Sequence, residues 1–441
     1  MNAAGSETGK VRRALNPKSV APSPLGIPAG VRAGDWIFCS GTDASEGRHA
    51  VAPSAVVDPR LPGAGWNAEM VAQTKYIYGR LMAVADEAGC NFDDSVVRIY
   101  QWMRVDEIVD AWPDLRIDPY LETRNLWLTH DRPASSAIAL TGFLAPANRI
   151  AVDWVGIDGP KVATATDRVP VPLAGYSQAV QSGPWVWLAG DTGTDWIGDE
   201  HTALHPSARV HRNIWYGQRA YAETLYIMEK QRIVLEESGS SLEDVVKAEV
   251  YIAYPDDYFY FEKAWREVFP SDPPARSIYT NIGLGLRGSR VEIALAALKR
   301  GSGVAREVIE TRTARRPYGH EPQAIKAGDM LFISGQSACD EKGLPLVDPD
   351  PGFPYSFRTA RRQQELIVEN VAAICAAAGT FLENVCRRQT VYTDLREFEP
   401  AYEVWRSAFE LPPAETTLGV TGRLLSGGCS IYSDLMVYAP R

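Results

Sequence analysis

Arg276 and Glu292 are the pair in this 441-residue sequence with the clearest chemistry between them. Arg276 opens an apolar run and Glu292 sits early in the next. A Gly283-Leu284-Gly285 turn lies midway between them. That spacing predicts a hairpin placing the two side chains across from each other on adjacent antiparallel strands, pointing to one face. A guanidinium so placed can grip a carboxylate with two parallel hydrogen bonds, while Glu292 orients or deprotonates an attacking water. The backbone amide near Gly190 can polarise the charge that develops. None of this requires a metal or a cofactor. The structural alternative is a cross-strand ion pair in which Arg276 and Glu292 simply neutralise each other.

Other motifs carry less. Gly283, Gly285 and Gly288 spell G-x-G-x-x-G, but dinucleotide binding requires a helix next, and SRVEIALAALK reads as a strand, so a turn is expected. His201 and His205 stand at i, i+4 with His211 nearby. Pro206 interrupts any helix there and no acidic partner sits at a diagnostic offset, so an exposed loop, a cleft lining or a lid is expected rather than a metal site. Trp185 and Trp187 alternate with Val186; one is expected to face the interior and the other a cleft or helix. Aromatic residues lining a cleft would favour a flat ligand.

The elements that position these residues recur three times. Each third opens with a strand ending in a small residue, a glycine and a polar residue: AGDWIFCSGT, SGPWVWLAGD, AGDMLFISGQ, which aligns Gly41, Gly190 and Gly335. A helix with apolar residues at three- and four-residue spacing follows, ending at Gly89, Gly239 or Gly379, where a left-handed cap belongs. Then come an acidic helix start, a β-branched strand, a second helix rich in aromatics and two closing strands. This order predicts an α+β fold with helices on one face of each sheet; the apolar opposite faces must be buried against further copies. Expected boundaries are a flexible leader over 1–20 and domains over 21–160, 168–300 and 315–441, with connectors near 158–170 and 300–316.

Composition narrows the partners. A net charge of −10 disfavours nucleic acid, and no apolar run approaches the ~18 residues needed to span a membrane. The first residues lack the apolar stretch of a secretory signal, so a cytoplasmic protein is expected. The six cysteines form no C-x-x-C pair and are expected to be buried free thiols.

The strand ending SGQ, the helix ending AG before an acidic residue and VV, and PARS followed by V-E-I resemble the RidA family, also called YjgF, three times over. The resemblance implies protomers that form trimers around a central barrel with outer helices and interfacial clefts. The triplicated chain would then be an intramolecular pseudo-trimer with degenerate sites in domains 1 and 3 and possible further homo-oligomerisation. It implies a hydrolase that deaminates small carboxylated enamines and imines to 2-oxo acids and ammonia, without a cofactor.

The family's ligand-binding arginine corresponds to Arg276; the other copies have Ser135 and Glu415 there. Its acidic residue corresponds to Glu292, with Ala151 and Tyr432 in the other copies, and its tyrosine to Tyr176, with Leu25 and Tyr318. The resemblance places Arg276 and Glu292 in catalysis and Tyr176, Gly190, Ser277 and Ile278 at the substrate. A second, diverged cleft with Tyr318, Glu415 and Tyr432 would prefer a cationic or neutral ligand. The alternatives are a hydrolase or lyase of a larger carboxylated or cyclic metabolite, since chorismate-cleaving enzymes resemble this fold, or a noncatalytic binder.

Overall fold

The computed structural model describes residues 12–47, 50–105, 117–197, 203–211, 213, 218–286, 288–347 and 358–440. The first unit holds strands β1 (Arg13–Leu15), β2 (Gly30–Ala33), β3 (Trp36–Cys39), β4 (Val96–Arg104), β5 (Ala134–Leu140) and β6 (Ile150–Ile157), with helices α1 (Trp66–Ala88) and α2 (Asp118–Arg124). The second holds β7 (Lys161–Thr164), β8 (Ala179–Ser182), β9 (Trp185–Leu188), β10 (Val245–Ile252), β11 (Ala275–Thr280) and β12 (Val291–Leu298), with α3 (Gln218–Glu237) and α4 (Tyr258–Val268). The third holds β13 (Arg306–Ile309), β14 (Ala324–Ala327), β15 (Met330–Gln336), β16 (Val385–Tyr392), β17 (Ala414–Gly419) and β18 (Ile431–Tyr438), with α5 (Arg358–Ala377) and α6 (Phe398–Ser407). Each forms a sheet of identical order, which in the first unit runs β1-β2-β3-β6-β4-β5.

The long helices pack one face on their own sheet. In α1, Met70, Ile77, Leu81, Val84 and Ala88 recur at helical spacing and are buried. Gly89, Gly239 and Gly379 end the three helices with φ of 83°, 72° and 74°, the left-handed geometry expected of them. Each helix–sheet layer has its own apolar core, and a further core is shared by all three sheets. Among the described residues no helix is long and apolar enough to cross a membrane.

Among the described residues the strand pairing gives three large separate sheets and a two-stranded ribbon of Ser45–Glu46 with Ala50–Val51, not the closed barrel expected. The facing strands meet through large side chains such as Trp36, Trp185, Tyr251, Tyr279 and Phe332. Isolated backbone links join one unit to another: the bridges Ala139–Gly283 and Gly142–Gly419, and the bonds from the Gly190 and Gly41 N–H groups to the Ser135 and Glu415 carbonyls. Trp185 and Trp187 both face this shared core, because residues two apart on a strand share a face; Val186 between them points to the helices.

Buried ion pairs link the units in order. Arg98 on β4 pairs with Glu249 on β10 at 3.0 Å, Lys247 on β10 with Asp434 on β18 at 2.6 Å, and Arg387 on β16 with Asp153 on β6 at 3.2 Å. The three cations occupy equivalent register positions, opposite Ala134, Ala275 and Ala414. First joins second, second joins third, and third joins first.

The expected boundaries shift. Arg13–Leu15, expected within the leader, is the edge strand of the first sheet. Buried Arg12 donates to the Glu383 and Leu411 carbonyls, tying the segment to the third unit. The proposed connectors likewise contain β7 and β13, each pairing with the second strand of its own sheet.

Candidate functional site

The hairpin expected between Arg276 and Glu292 is not there. β11 lies parallel to β10, with Arg276 opposite Ala248, while β12 lies on the other side of β10, with Glu292 opposite Tyr251. The crossover through α4 carries β11 to the sheet edge, so β10 separates the two residues. Gly283 meets Ala139 of the first unit instead of turning a hairpin, and β12 follows, as the turn reading of the glycine motif required. Arg276 and Glu292 therefore face different neighbours.

Glu292 faces the first unit. The Gly190 N–H donates to the Ser135 carbonyl at 2.9 Å, so that amide is already engaged and is not available to a developing charge. A methyl group at Gly190 would overlap both Glu292 Oε1 and Ser136 Oγ; only glycine lets the carboxylate and hydroxyl meet over its Cα. Arg98 Nη2 donates to Ser136 Oγ at 2.8 Å, and Ser136 in turn hydrogen-bonds Glu292. Burial pushes the Glu292 carboxyl up to about 7, with Asp191 adding and Ser136 and Arg98 opposing.

Tyr176, partly exposed, lies within electrostatic reach of Glu292 and of Arg124 from α2, while burial holds its hydroxyl well above the usual tyrosine range. Arg124 is 2% exposed, donates from Nη2 to the Ala174 carbonyl at 2.8 Å, and its Nε has no partner among the described residues. Arg124 stands nine residues before Pro133, as Trp265 stands nine before Pro274. The first unit thus lost the strand arginine and places a guanidinium on its second helix. The sequence reading missed this residue, although the tryptophan-to-arginine exchange signalled it.

Arg276 faces the third unit. Its guanidinium, 0% exposed, pairs with Glu262 at 2.8 Å and with Glu321, and it lies over the rings of Trp265 and Phe261 at 5.0 and 5.3 Å. It is neutralised, as the structural alternative allowed, but by these carboxylates and not by Glu292. Tyr432 OH accepts from the Ile278 N–H at 2.6 Å and fills the space over Gly335. Ser277 Oγ donates to Asp434 at 2.6 Å and accepts from Lys247 at 2.8 Å. Ser277 and Ile278 are thus occupied by protein groups. With Tyr318 also present, a cavity of only about 40 Å³ is left.

Glu415 faces the first unit, apart from the Tyr318 and Tyr432 with which it was grouped. Its carbonyl accepts from the Gly41 N–H at 3.0 Å, and its carboxylate accepts from Arg388 Nε at 2.6 Å. Arg388 lies 4.1 Å over Trp405, as Arg276 lies over Trp265. Here the guanidinium comes from the neighbouring strand, signalled by the Arg387-Arg388 doublet. Where this third cleft meets Leu25, a cavity of about 780 Å³ opens.

The histidines have local roles. His205 stacks on Tyr226 at 4.1 Å and accepts from the Ser207 N–H at 3.1 Å; His211 accepts from the Asn213 N–H at 3.3 Å. His201 lies outside the described residues.

A family model described as Endoribonuclease L-PSP matches residues 166–299 and 311–425, the second and third units. The chain belongs to that family. A RutC family protein of Pyrococcus horikoshii is 35% identical over 117 residues, 26% of this chain and 86% of that protein. Reactive Intermediate Deaminase A, chloroplastic, of Arabidopsis thaliana is 29% identical over 131 residues, 30% of this chain and 65% of that protein. Among solved structures, RidA of an Antarctic Psychrobacter is 31% identical, covering 30% of this chain and 98% of its own, with a TM-score of 0.25. A chorismatase covers 78% of this chain and 93% of its own at 12% identity, with a TM-score of 0.49.

Proposed function

We propose that this chain hydrolytically deaminates small carboxylated imines and enamines, and that it does so where the first unit faces the second, within an intramolecular pseudo-trimer acting in the cytoplasm. The observation that carries this reading is Glu292, a buried carboxyl near 7 held on Gly190 with Tyr176 in electrostatic reach of both it and Arg124. Family membership and a relative named for reactive-intermediate deamination support it. The cyclic order of buried ion pairs supports the pseudo-trimer.

The unpartnered Arg124 Nε offers a charge-assisted hydrogen bond to the substrate carboxylate. Ionised Glu292 takes a proton from water as its oxygen bonds to the imine carbon. A carboxyl near 7 is matched to this role at neutral pH. The protonated Glu292 returns that proton to the nitrogen, giving a carbinolamine. Glu292 then takes the carbinol O–H proton and passes it to the nitrogen as the C=O forms and the C–N bond breaks, so that imine and water become 2-oxo acid and ammonia. Arg98, through Ser136, keeps the carboxylate oriented.

The test is ammonia and 2-oxo acid release from imines generated by an amino-acid oxidase. Acceleration by the wild type that disappears in Glu292→Gln and requires higher substrate in Arg124→Met is expected. No acceleration with any amino-acid imine, or full activity in Glu292→Gln, would refute the assignment.

A further inference from the structure

The third cleft, between the third unit and the first, differs from the other two in size and in carrying an acid, Glu415, at the strand position where the others have Ser135 and Arg276. Ile27, not Leu25, stands where the second unit places Tyr176, two residues before Ala29 and Gln178, whose carbonyls accept the equivalent bonds from the Ser40 and Ala189 N–H groups. The register sets Ala151 opposite Trp102, the position that Glu292 occupies opposite Tyr251 and Tyr432 opposite Val391. Two space-filling side chains have been replaced by smaller ones on that side. The resulting 780 Å³ lies within the range of sites that enclose drug-sized ligands, whereas the cleft plugged by Tyr432 retains about 40 Å³.

Its walls are apolar, with Pro22, Pro24, Leu25, Ile27, Leu144 and Phe398 among them. Its polar floor is built around Glu415 and Asp43. Arg388 engages Glu415 Oε2, the Thr417 hydroxyl lies 3.4 Å from Oε1 and Thr390 also hydrogen-bonds the carboxylate; with about four acceptor sites on a carboxylate, one remains for a ligand. Asp43 accepts from the Ser45 N–H at 2.9 Å and from Asn148 Nδ2 at 3.1 Å. The nearby guanidinium of Arg80 is turned to the Asp43 and Ser45 carbonyls, at 3.3 and 3.0 Å. A ligand carboxylate entering as it would on an arginine meets Glu415 instead, and like charges in a partly desolvated cleft repel.

We propose that this cleft is a second small-molecule site, for a protonated organic amine carried on an apolar body. The ammonium donates to Glu415 Oε1 and the Asp43 carboxyl, and the body lies along the proline-rich wall. This site uses none of the residues assigned to imine hydrolysis, so the two readings stand or fall separately.

Calorimetric titration of the full chain with three matched probes tests it: phenethylamine, 2-phenylethanol and 3-phenylpropionate. Phenethylamine is expected to bind at least about tenfold more tightly than either of the others. Ile27→Tyr, which installs the ring that Tyr176 places there in the second unit, should weaken it about tenfold or more while the circular dichroism spectrum is retained. Glu415→Gln should remove the preference for amine over alcohol, and Glu292→Gln should leave amine binding in place. Binding of 3-phenylpropionate as tight as the amine, no binding by any of the three, or unchanged amine affinity in folded Ile27→Tyr would overturn the proposal.

Discussion

Replacing Glu292 by glutamine separates a proton-transfer carboxyl from an ordinary buried one, because the change should raise stability while it removes turnover. The carboxyl is raised from 4.5 to about 7, chiefly by burial at 4% exposure. A group raised on folding contributes stability that is complete below its unfolded value and is lost as pH rises through its folded value. At about 1.4 kcal/mol per unit, a shift of roughly 2.5 units corresponds to about 3 kcal/mol. Glutamine, uncharged throughout, avoids this loss.

The stability difference between variant and wild type should therefore widen between pH 4.5 and 7 and then level off, with the variant ahead by up to about 3 kcal/mol. Glu223, also raised to about 7 by burial, is present in both proteins and cancels. Urea unfolding at half-unit steps from pH 5 to 9 measures the difference, and steady-state assays should show kcat reduced by about 10²- to 10⁴-fold. A stability difference that stays flat across this range would refute the reasoning, since Glu292 would then already ionise near its ordinary value.

Gly190→Ala drives a methyl group into Glu292 and Ser136 and should lower kcat at least about a hundredfold, measured beside a melting curve to show that the chain still folds. Arg276→Ala leaves Glu321 buried without its cation and Glu262 with Arg266 alone; a loss of about 3–5 kcal/mol is expected in urea unfolding, with turnover per folded molecule retained. Tyr432→Phe strips the acceptor from the Ile278 N–H and should cost about 1–3 kcal/mol in the same measurement.

Periodicity and punctuation made the architecture readable. The three capping glycines, the strand-ending Ser-Gly and Ala-Gly pairs and the helix spacing each recur in the chain and in the structure. What they could not convey was pairing between elements far apart in sequence. PARS followed by an acidic strand reads as a hairpin, but the parallel placement of β11 beside β10 follows from the crossover through α4, which local turn chemistry does not encode. The site was misjudged for the same reason. Arg276, Glu292, Tyr176 and Gly190 are contiguous in one copy, yet Tyr176, Gly190 and Glu292 face backward to the first unit while Arg276 faces forward to the third. Arg124 and Arg388 went unnoticed because a guanidinium was sought only at the aligned position, although a neighbouring strand or helix can deliver the same group.

Each unit lends one edge to the cleft behind it and the other to the cleft ahead. In an assembly of identical protomers a single substitution alters every cleft at once. Joined in one chain, the units allow Ile27 and Ala151 to reshape one cleft and Tyr432 to close another while Glu292 remains as it was. The same sharing makes every unit indispensable twice: excising any one of them would abolish two clefts and leave a single cleft between the remaining pair, so the chain is free to specialise but not to shorten.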